Sequence, residues 1–204
     1  MLKVKCISVG PLGANCYLLY NQIDAIIIDP GFDGQTICDL ASKLNIKIKH
    51  IILTHGHFDH IGAVSYIKDR FDCDVYIHKN DGAFLNNPSL NLSDRFASSI
   101  LYDGAHTCVG EETLNLLEYD FKFISTPGHT PGSVCIMVED MLFTGDTLFR
   151  CSIGNAFPPY GNTVQEIKSI KEKILKLDDS LICYPGHGEP TTIGYEKQFN
   201  PYLV

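Results

Sequence analysis

The sequence predicts an α+β protein in which sheet packs on sheet with helices on the outside. Two observations carry this expectation. Short apolar strand-like runs fall into two groups along the chain, and each group is followed by a segment whose apolar residues recur at helical spacing. With 204 residues, 45% of them hydrophobic, the chain can bury a full core but is short for two ordinary domains, so one domain spanning 1–204 is expected.

In the first group, Leu2, Val4 and Cys6 alternate with Lys3 and Lys5, the pattern of a half-buried strand. Gly10-Pro11-Leu12-Gly13 turns the chain into a second run, Cys16 to Tyr20. Ala25 to Ile28 reads as a short strand ended by Asp29-Pro30-Gly31. Asp33 is then placed to cap a helix to about Leu44, with Ile37, Leu40, Ala41 and Leu44 on one face. His50 to Leu53 returns to strand, a helix is expected from Gly62 to Phe71, and Val75 to His78 is again strand. Lys79 to Ser99 is polar, rich in turn residues and weakly periodic, so it reads as a loop with a short helix and a candidate substrate cover.

The second group comprises Thr113 to Leu117, Phe121 to Ser125, Val134 to Val138 and Met141 to Thr144, the last two joined as a hairpin at Glu139-Asp140. Thr163 to Leu177 carries Val164, Ile167, Ile170, Ile174 and Leu177 at the spacing of a helix face laid on a sheet. Leu181 to Tyr184 is the last clear strand.

The formal charge of -8 argues against a broad phosphate-gripping surface, so no nucleic-acid partner is expected. Eight cysteines are spread singly, without a C-x-x-C pair, and read as small apolar core residues. The N-terminus lacks the apolar run of a signal peptide and no stretch reaches membrane-spanning length, so a cytoplasmic protein with no membrane partner is expected.

Chemistry concentrates in Thr54-His55-Gly56-His57-Phe58-Asp59-His60, directly after the apolar run Ile51 to Leu53. Four potential ligands fall within six residues. His55 and His57 alternate as in an extended segment and can point the same way, while Asp59 and His60 sit where the chain turns into a helix and can serve an adjacent position. Imidazole and carboxylate are ligand types that borderline cations such as zinc accept. Three later segments offer partners: Thr126-Pro127-Gly128-His129-Thr130-Pro131-Gly132, Thr144-Gly145-Asp146-Thr147 and Tyr184-Pro185-Gly186-His187-Gly188. In each, a glycine beside a His or Asp lets the backbone turn tightly at a strand end and present the side chain. His50, His78 and His106 lie outside these segments and read as ordinary hydrogen-bonded groups, His78 being the one at a strand end that could support a ligand.

These segments, in this order, resemble the metallo-β-lactamase superfamily, and within it the glyoxalase II-like branch of short hydroxyacylglutathione hydrolase-like proteins. The likeness runs from the first strand to Thr191-Thr192-Ile193-Gly194 and Asn200-Pro201. It implies a four-layer αββα sandwich with two divalent metal ions, Zn2+ first and Fe or Mn as alternatives. His55, His57 and His129 would hold one ion, Asp59, His60 and His187 the other, with Asp146 bridging.

The implied activity is hydrolysis of a small-molecule thioester such as a hydroxyacylglutathione-like substrate by a water whose pKa the metals lower, with Asp59 orienting it. A thiolate can leave unprotonated near neutral pH, so no further acid is needed. Members of this branch often carry an Arg and an Asp after the metal aspartate. Here the chain reads Asn155-Ala156-Phe157, and a role for that pair does not carry over. Ser133 stands where glyoxalase II proper often has a second histidine, and its helical C-terminal extension has no counterpart before Val204, so glutathione specificity is not implied. The rival readings are an iron-dependent persulfide dioxygenase-like oxidoreductase, a lactonase or phosphodiesterase on the same fold, and a non-catalytic metal module. Loops 79–99 and 150–162 are the expected pocket walls, and Phe157 and Tyr160 read equally as wall or as packing residues.

Overall fold

The computed structural model describes residues 2–96, 99–157 and 159–204. Residues 97, 98 and 158, which fall in the two expected pocket loops, lie outside them. By its internal contacts the chain divides into two compact units, Met1–Ile77 with Gly82–Cys108, and His78–Asp81 with Val109–Val204.

The first sheet runs in sequence order: β1 (Lys3–Val9), β2 (Ala14–Tyr20), β3 (Asp24–Ile28), β4 (Lys47–Ile52), β5 (Asp74–His78) and β6 (Thr107–Val109). β1 and β2 form the expected hairpin, with Val9 opposite Ala14, and β3 pairs antiparallel with β2. From β3 to β5 the pairing is parallel, which demands crossovers. These are α1 (Gly34–Lys43), then α2 (Phe58–Ile61) with α3 (Val64–Arg70). Ile37, Cys38 and Ala41 of α1 and Val64 and Ile67 of α3 pack with Ile27, Ile51 and Val75 of the strands into one buried cluster.

Two details depart from the sequence reading. Asp33 occupies the cap position of α1 but makes no cap bond; its carboxylate instead accepts the Gly10 amide proton at 2.8 Å and ties the hairpin turn to the helix. The helix expected from Gly62 begins at Val64: Gly62 closes the short helix α2, and Ala63, at φ -98 and ψ 1, separates the two.

The loop after β5 contains 3-10 turns at Gly82–Phe84 and Ser93–Arg95. Fully buried Asn91 organises it: its side-chain amide donates to the carbonyls of Phe84 (2.9 Å) and Ile100 (3.0 Å), and its side-chain oxygen accepts from Ser93 N–H (3.0 Å). The Asn91 carbonyl accepts the Phe58 amide at 2.9 Å, and Phe96 lies against Phe58 with ring centres 4.3 Å apart.

The second sheet contains β7 (Thr113–Leu116), β8 (Tyr119–Ser125), β9 (Val134–Val138), β10 (Met141–Gly145), β13 (Ile182–Pro185) and β14 (Thr191–Thr192), ordered β14-β13-β10-β9-β8-β7. Between β10 and β13 lie a small ladder of β11 (Leu148–Phe149) and β12 (Ser152–Ile153), then α4 (Thr163–Glu172); α5 (Ile193–Phe199) follows β14. β10 and β13 are parallel and the other pairs of this sheet antiparallel. Ile170, Ile174 and Ile193 pack with Ile124, Cys135, Leu142 and Cys183. Two sheets with few helices are the α+β class expected.

Here too the structure corrects the reading. α4 ends at Glu172 and continues as a 3-10 turn at Ile174–Lys176, and Val164, placed on its apolar face, is 80% exposed. The small ladder, β14 and α5 are too short or too polar to stand out by periodicity. α5 is held by buried Glu196, which accepts from Thr191 Oγ1 (2.6 Å), Cys151 N–H (2.9 Å) and Asn200 Nδ2 (2.8 Å). Cys16, Cys38, Cys73, Cys135 and Cys183 are core residues as expected, but Cys6 and Cys108 are exposed and Cys151 intermediate; all eight are free thiols.

Ile51 is fully buried in β4, the strand that feeds the ligand-rich turn. Ile51→Ala is expected to cost about 2–5 kcal/mol, the usual range for emptying such a site, measured as the fall in the urea unfolding midpoint.

Candidate metal centre

Every predicted site residue lies on a segment that leaves a strand end or on the short helix that follows it, and the structure gathers them into one cluster in each unit. In the first, the chain leaves β4 and passes through Thr54–His57 before entering α2, which carries Asp59 and His60. The His55 ring lies 4.8 Å from that of His57 and 4.2 Å from that of His60, centre to centre. Gly56 makes the close turn possible, since a Cβ there would lie 2.3 Å from the Phe84 Cβ. His60 Nε2 is 3.6 Å from Asp59 Oδ2.

Behind these groups lies Asp29, which the sequence reading took only for part of a strand-ending turn. Its carboxylate is buried and accepts three hydrogen bonds: Thr54 N–H at 2.8 Å on Oδ1, and Thr54 Oγ1–H at 2.6 Å and His60 Nδ1–H at 3.0 Å on Oδ2. The proton inventory then follows. A carboxylate only accepts, so His60 carries its proton on Nδ1 and turns Nε2 toward Asp59. Thr54 spends its own proton on Asp29, so its oxygen accepts from His55 Nδ1 at 3.1 Å, and His55 likewise presents Nε2. Asp29, His55 and His60 could by distance form a cation site themselves. Three donors already engage Asp29, which makes it a support for histidines and not a ligand.

In the second unit, His129 lies in the turn after β8, Asp146 follows β10 and His187 follows β13. The His129 turn is bound to Asp81, whose buried carboxylate accepts Gly132 N–H and Thr130 Oγ1–H, both at 2.7 Å. Ser133 hydroxyl accepts the Thr130 amide at 3.0 Å, so it shapes the turn. His129 Nδ1 donates to the Asn155 carbonyl at 3.1 Å, which makes Nε2, on the side of Asp146, the nitrogen without the proton. Asp146 Oδ2 stands 3.5 Å from His129 Nε2 and 3.7 Å from His187 Nε2.

This donor set suits a divalent cation. The two Asp146 separations exceed hydrogen-bond length, yet they approach the about 3.3 Å between two ligand atoms that each bind a shared tetrahedral ion at about 2.0–2.1 Å. Imidazole nitrogens whose far side is pinned by a carboxylate or carbonyl are the arrangement that metal-binding histidines adopt.

The Metallo-beta-lactamase superfamily model matches residues 9–187. The chain belongs to the metallo-β-lactamase superfamily. Among curated relatives, it is 35% identical over 206 residues to a probable metallo-hydrolase, YqgX, of Bacillus subtilis (99% of this chain, 98% of that one). It is 34% identical over 209 residues to hydroxyacylglutathione hydrolase GloC of Haemophilus influenzae (99% and 98%). Among solved structures it is similar to the BLEG-1 B3 metallo-β-lactamase, with TM-score 0.95 and 38% identity over 99% of this chain and all of that one. It is also similar to TTHA1623 in a di-iron-bound form, with TM-score 0.85 and 30% identity over 98% of this chain and all of that one. As a superfamily member it is a metal-dependent hydrolase.

The remaining histidines fall outside the clusters. Burial pushes the pKa values of His50 and His78 below the ordinary imidazole value, and His50 faces Asp74 at 3.4 Å. His78 Nδ1 accepts the Asn80 amide at 3.3 Å, and His106 is exposed. Among the described residues no helix is long and apolar enough to cross a membrane.

Sequence reasoning also missed Glu166, fully buried in the first turn of α4. Burial raises its carboxyl pKa to about 8, with the Gly154 amide opposing the rise and the Asp146 charge adding to it.

Two outcomes are expected of the metal-free protein. Asp29→Ala, which orphans the buried donors of Thr54 and His60, should cost about 3–5 kcal/mol in urea unfolding. Because folding raises the Glu166 pKa from 4.5 to about 8, its protonated form is favoured in the native state. Its contribution is therefore greatest below 4.5 and is lost as pH rises through about 8. Urea midpoints of wild type should accordingly fall across that window relative to Glu166→Gln, and parallel pH profiles would contradict this.

Proposed function

We propose that this protein hydrolyses a thioester with a hydroxyacyl group, at a dinuclear centre to which both clusters contribute. The observation that carries the reading is the likeness to hydroxyacylglutathione hydrolase GloC along 99% of this chain and 98% of that protein. The family model supports a single working domain, since its match spans parts of both compact units.

In this reading His55, His57 and His129 would hold one ion and Asp59, His60 and His187 the other, with Asp146 a shared ligand. Divalent ions bound there supply a Lewis acid for the carbonyl and bring the pKa of water toward neutrality. The chain's own residues do the rest. Thr54, Asp29 and the Asn155 carbonyl keep the protons of His55, His60 and His129 on Nδ1, so that each Nε2 lone pair is available without rearrangement. The Asp59 carboxylate accepts a hydrogen bond from the attacking water and aims it. The departing thiol is acidic enough to leave as thiolate, so the site needs no acid beyond these groups.

Zinc is the proposed metal, and the di-iron form of TTHA1623 makes iron its alternative. Uncharged Asn155 and Ala156 in the segment after the small ladder favour a substrate whose thiol portion need not be glutathione. The 38% likeness to BLEG-1 supports β-lactam hydrolysis as a second reading. Eight free cysteines accord with work in a reducing cytoplasm.

The test is metal analysis of the purified protein with a panel of thioesters, lactones, β-lactams and phosphodiesters, alongside oxygen uptake with a persulfide. Thioester turnover with zinc is expected; β-lactam turnover alone, or oxygen uptake with a single iron, would displace the proposal. His57→Ala and Asp146→Ala should each lose metal and hydrolysis together, by more than the about 10–100-fold typical of outer partners. Full turnover by either variant without metal would end the assignment.

A further inference from the structure

The buried Glu166 has no part in the reaction described above, and its place is unusual. Its two carboxyl oxygens are inaccessible and neither has a hydrogen-bond partner of ordinary geometry. A buried polar group left so poorly satisfied works against stability, which invites a search for what it does.

The answer lies in what surrounds it. A Cβ built on Gly154 would lie 2.8 Å from Glu166 Oε1 and 1.9 Å from the Asp146 carbonyl oxygen, so the 153–155 strap runs directly between the Glu166 carboxyl and the backbone of the bridging aspartate. A Cβ on Gly128 would lie 2.3 Å from Glu166 Cα and Cβ, so the turn carrying His129 leans on the same residue. That turn is further fixed to α4 by Asn162 N–H on the Gly128 carbonyl (2.7 Å) and by Ser169 Oγ–H on the Pro127 carbonyl (2.8 Å). One residue beyond Gly154, the Asn155 carbonyl takes the His129 Nδ1 proton at 3.1 Å. The His129 turn and the acceptor that orients its ring are thus both built against Glu166.

We propose that Glu166 is a positioning residue for His129: its side chain sets the Gly154–Asn155 strap at the place from which the Asn155 carbonyl fixes the imidazole with Nε2 outward. The role rests on reading His129 as a metal ligand, but the contacts lie wholly within the second unit and can be examined without metal. The polar head matters as well as the bulk, since the Gly154 amide faces the carboxyl and an apolar isostere offers it nothing.

A structural role and a positioning role separate in Glu166→Leu. Were the carboxyl merely structural, the variant would lose stability. As a positioning group it costs stability where it stands, so Glu166→Leu should melt at or above the wild-type temperature while losing order at His129. In the metal-free protein, nitrogen-15 NMR should show the His129 Nδ1–H resonance in wild type and in Glu166→Gln, and its loss through exchange in Glu166→Leu. Zinc competition with a chromophoric chelator should then find Glu166→Gln within about twofold of wild type and Glu166→Leu weaker by about 10–100-fold, the usual cost of an outer support.

A wild-type His129 resonance and zinc affinity in Glu166→Leu would overturn the proposal, as would a Glu166→Gln variant no better than Glu166→Leu. Glu166→Met, with a flexible apolar chain of similar length, is read by the same criteria if Glu166→Leu does not fold. His129→Ala distinguishes the two levels of the inference. Unchanged metal content there removes His129 from the ligand set, while the resonance comparison still decides what Glu166 does.

Discussion

The buried carboxylate of Asp29 sits where β3 ends and collects a backbone amide, a hydroxyl and an imidazole from the neighbouring segment that follows β4. Away from water, a carboxylate with fewer donors would be expensive to keep charged, so folding of this region requires Thr54 and His60 to arrive together. Their arrival places the ligand-rich turn. The backbone is arranged for it, with Asp29 at φ 52 and Gly31 packed so closely that a Cβ would lie 1.7 Å from the Asp59 carbonyl oxygen. The orientations of His60, and of His55 through Thr54, follow from this one anchored carboxylate.

The second cluster reaches the same end by other means. His129 is oriented by a peptide carbonyl, a neutral acceptor, in place of a carboxylate. His60 and His129 are thus oriented by acceptors of different charge, although both carry the proton on Nδ1. At this turn a buried carboxylate stands one step back, in Asp81, which grips the backbone and the Thr130 hydroxyl.

The α+β class and most long strands were legible because alternation and apolar runs are dense in β2, β3, β9 and β10. The seven proposed ligands stand out in the sequence for a different reason: segments that place histidines and aspartates beside glycines after strands are rarely combined by chance. Asp29 was hidden because Asp-Pro-Gly is also what an ordinary turn looks like, and only the fold brings it to Thr54 and His60. Glu166 was hidden by its setting, since a glutamate in the first turn of a helix is the usual place for a solvated charge. Val164 misled in the opposite direction, an apolar residue at helical spacing that faces water. α5 escaped notice because buried polar bonds through Glu196 hold it, and periodicity does not register those.

The segment between β5 and β6, expected as a cover, is held along much of its length by Asn91, which knots the backbone at Phe84, Ser93 and Ile100 and fastens it to Phe58. Backbone so secured has little conformational entropy left to lose on binding. A molecule that came to rest on Phe84, Asn91 or Phe58 would meet groups already in place, so their ordering would subtract little from its affinity.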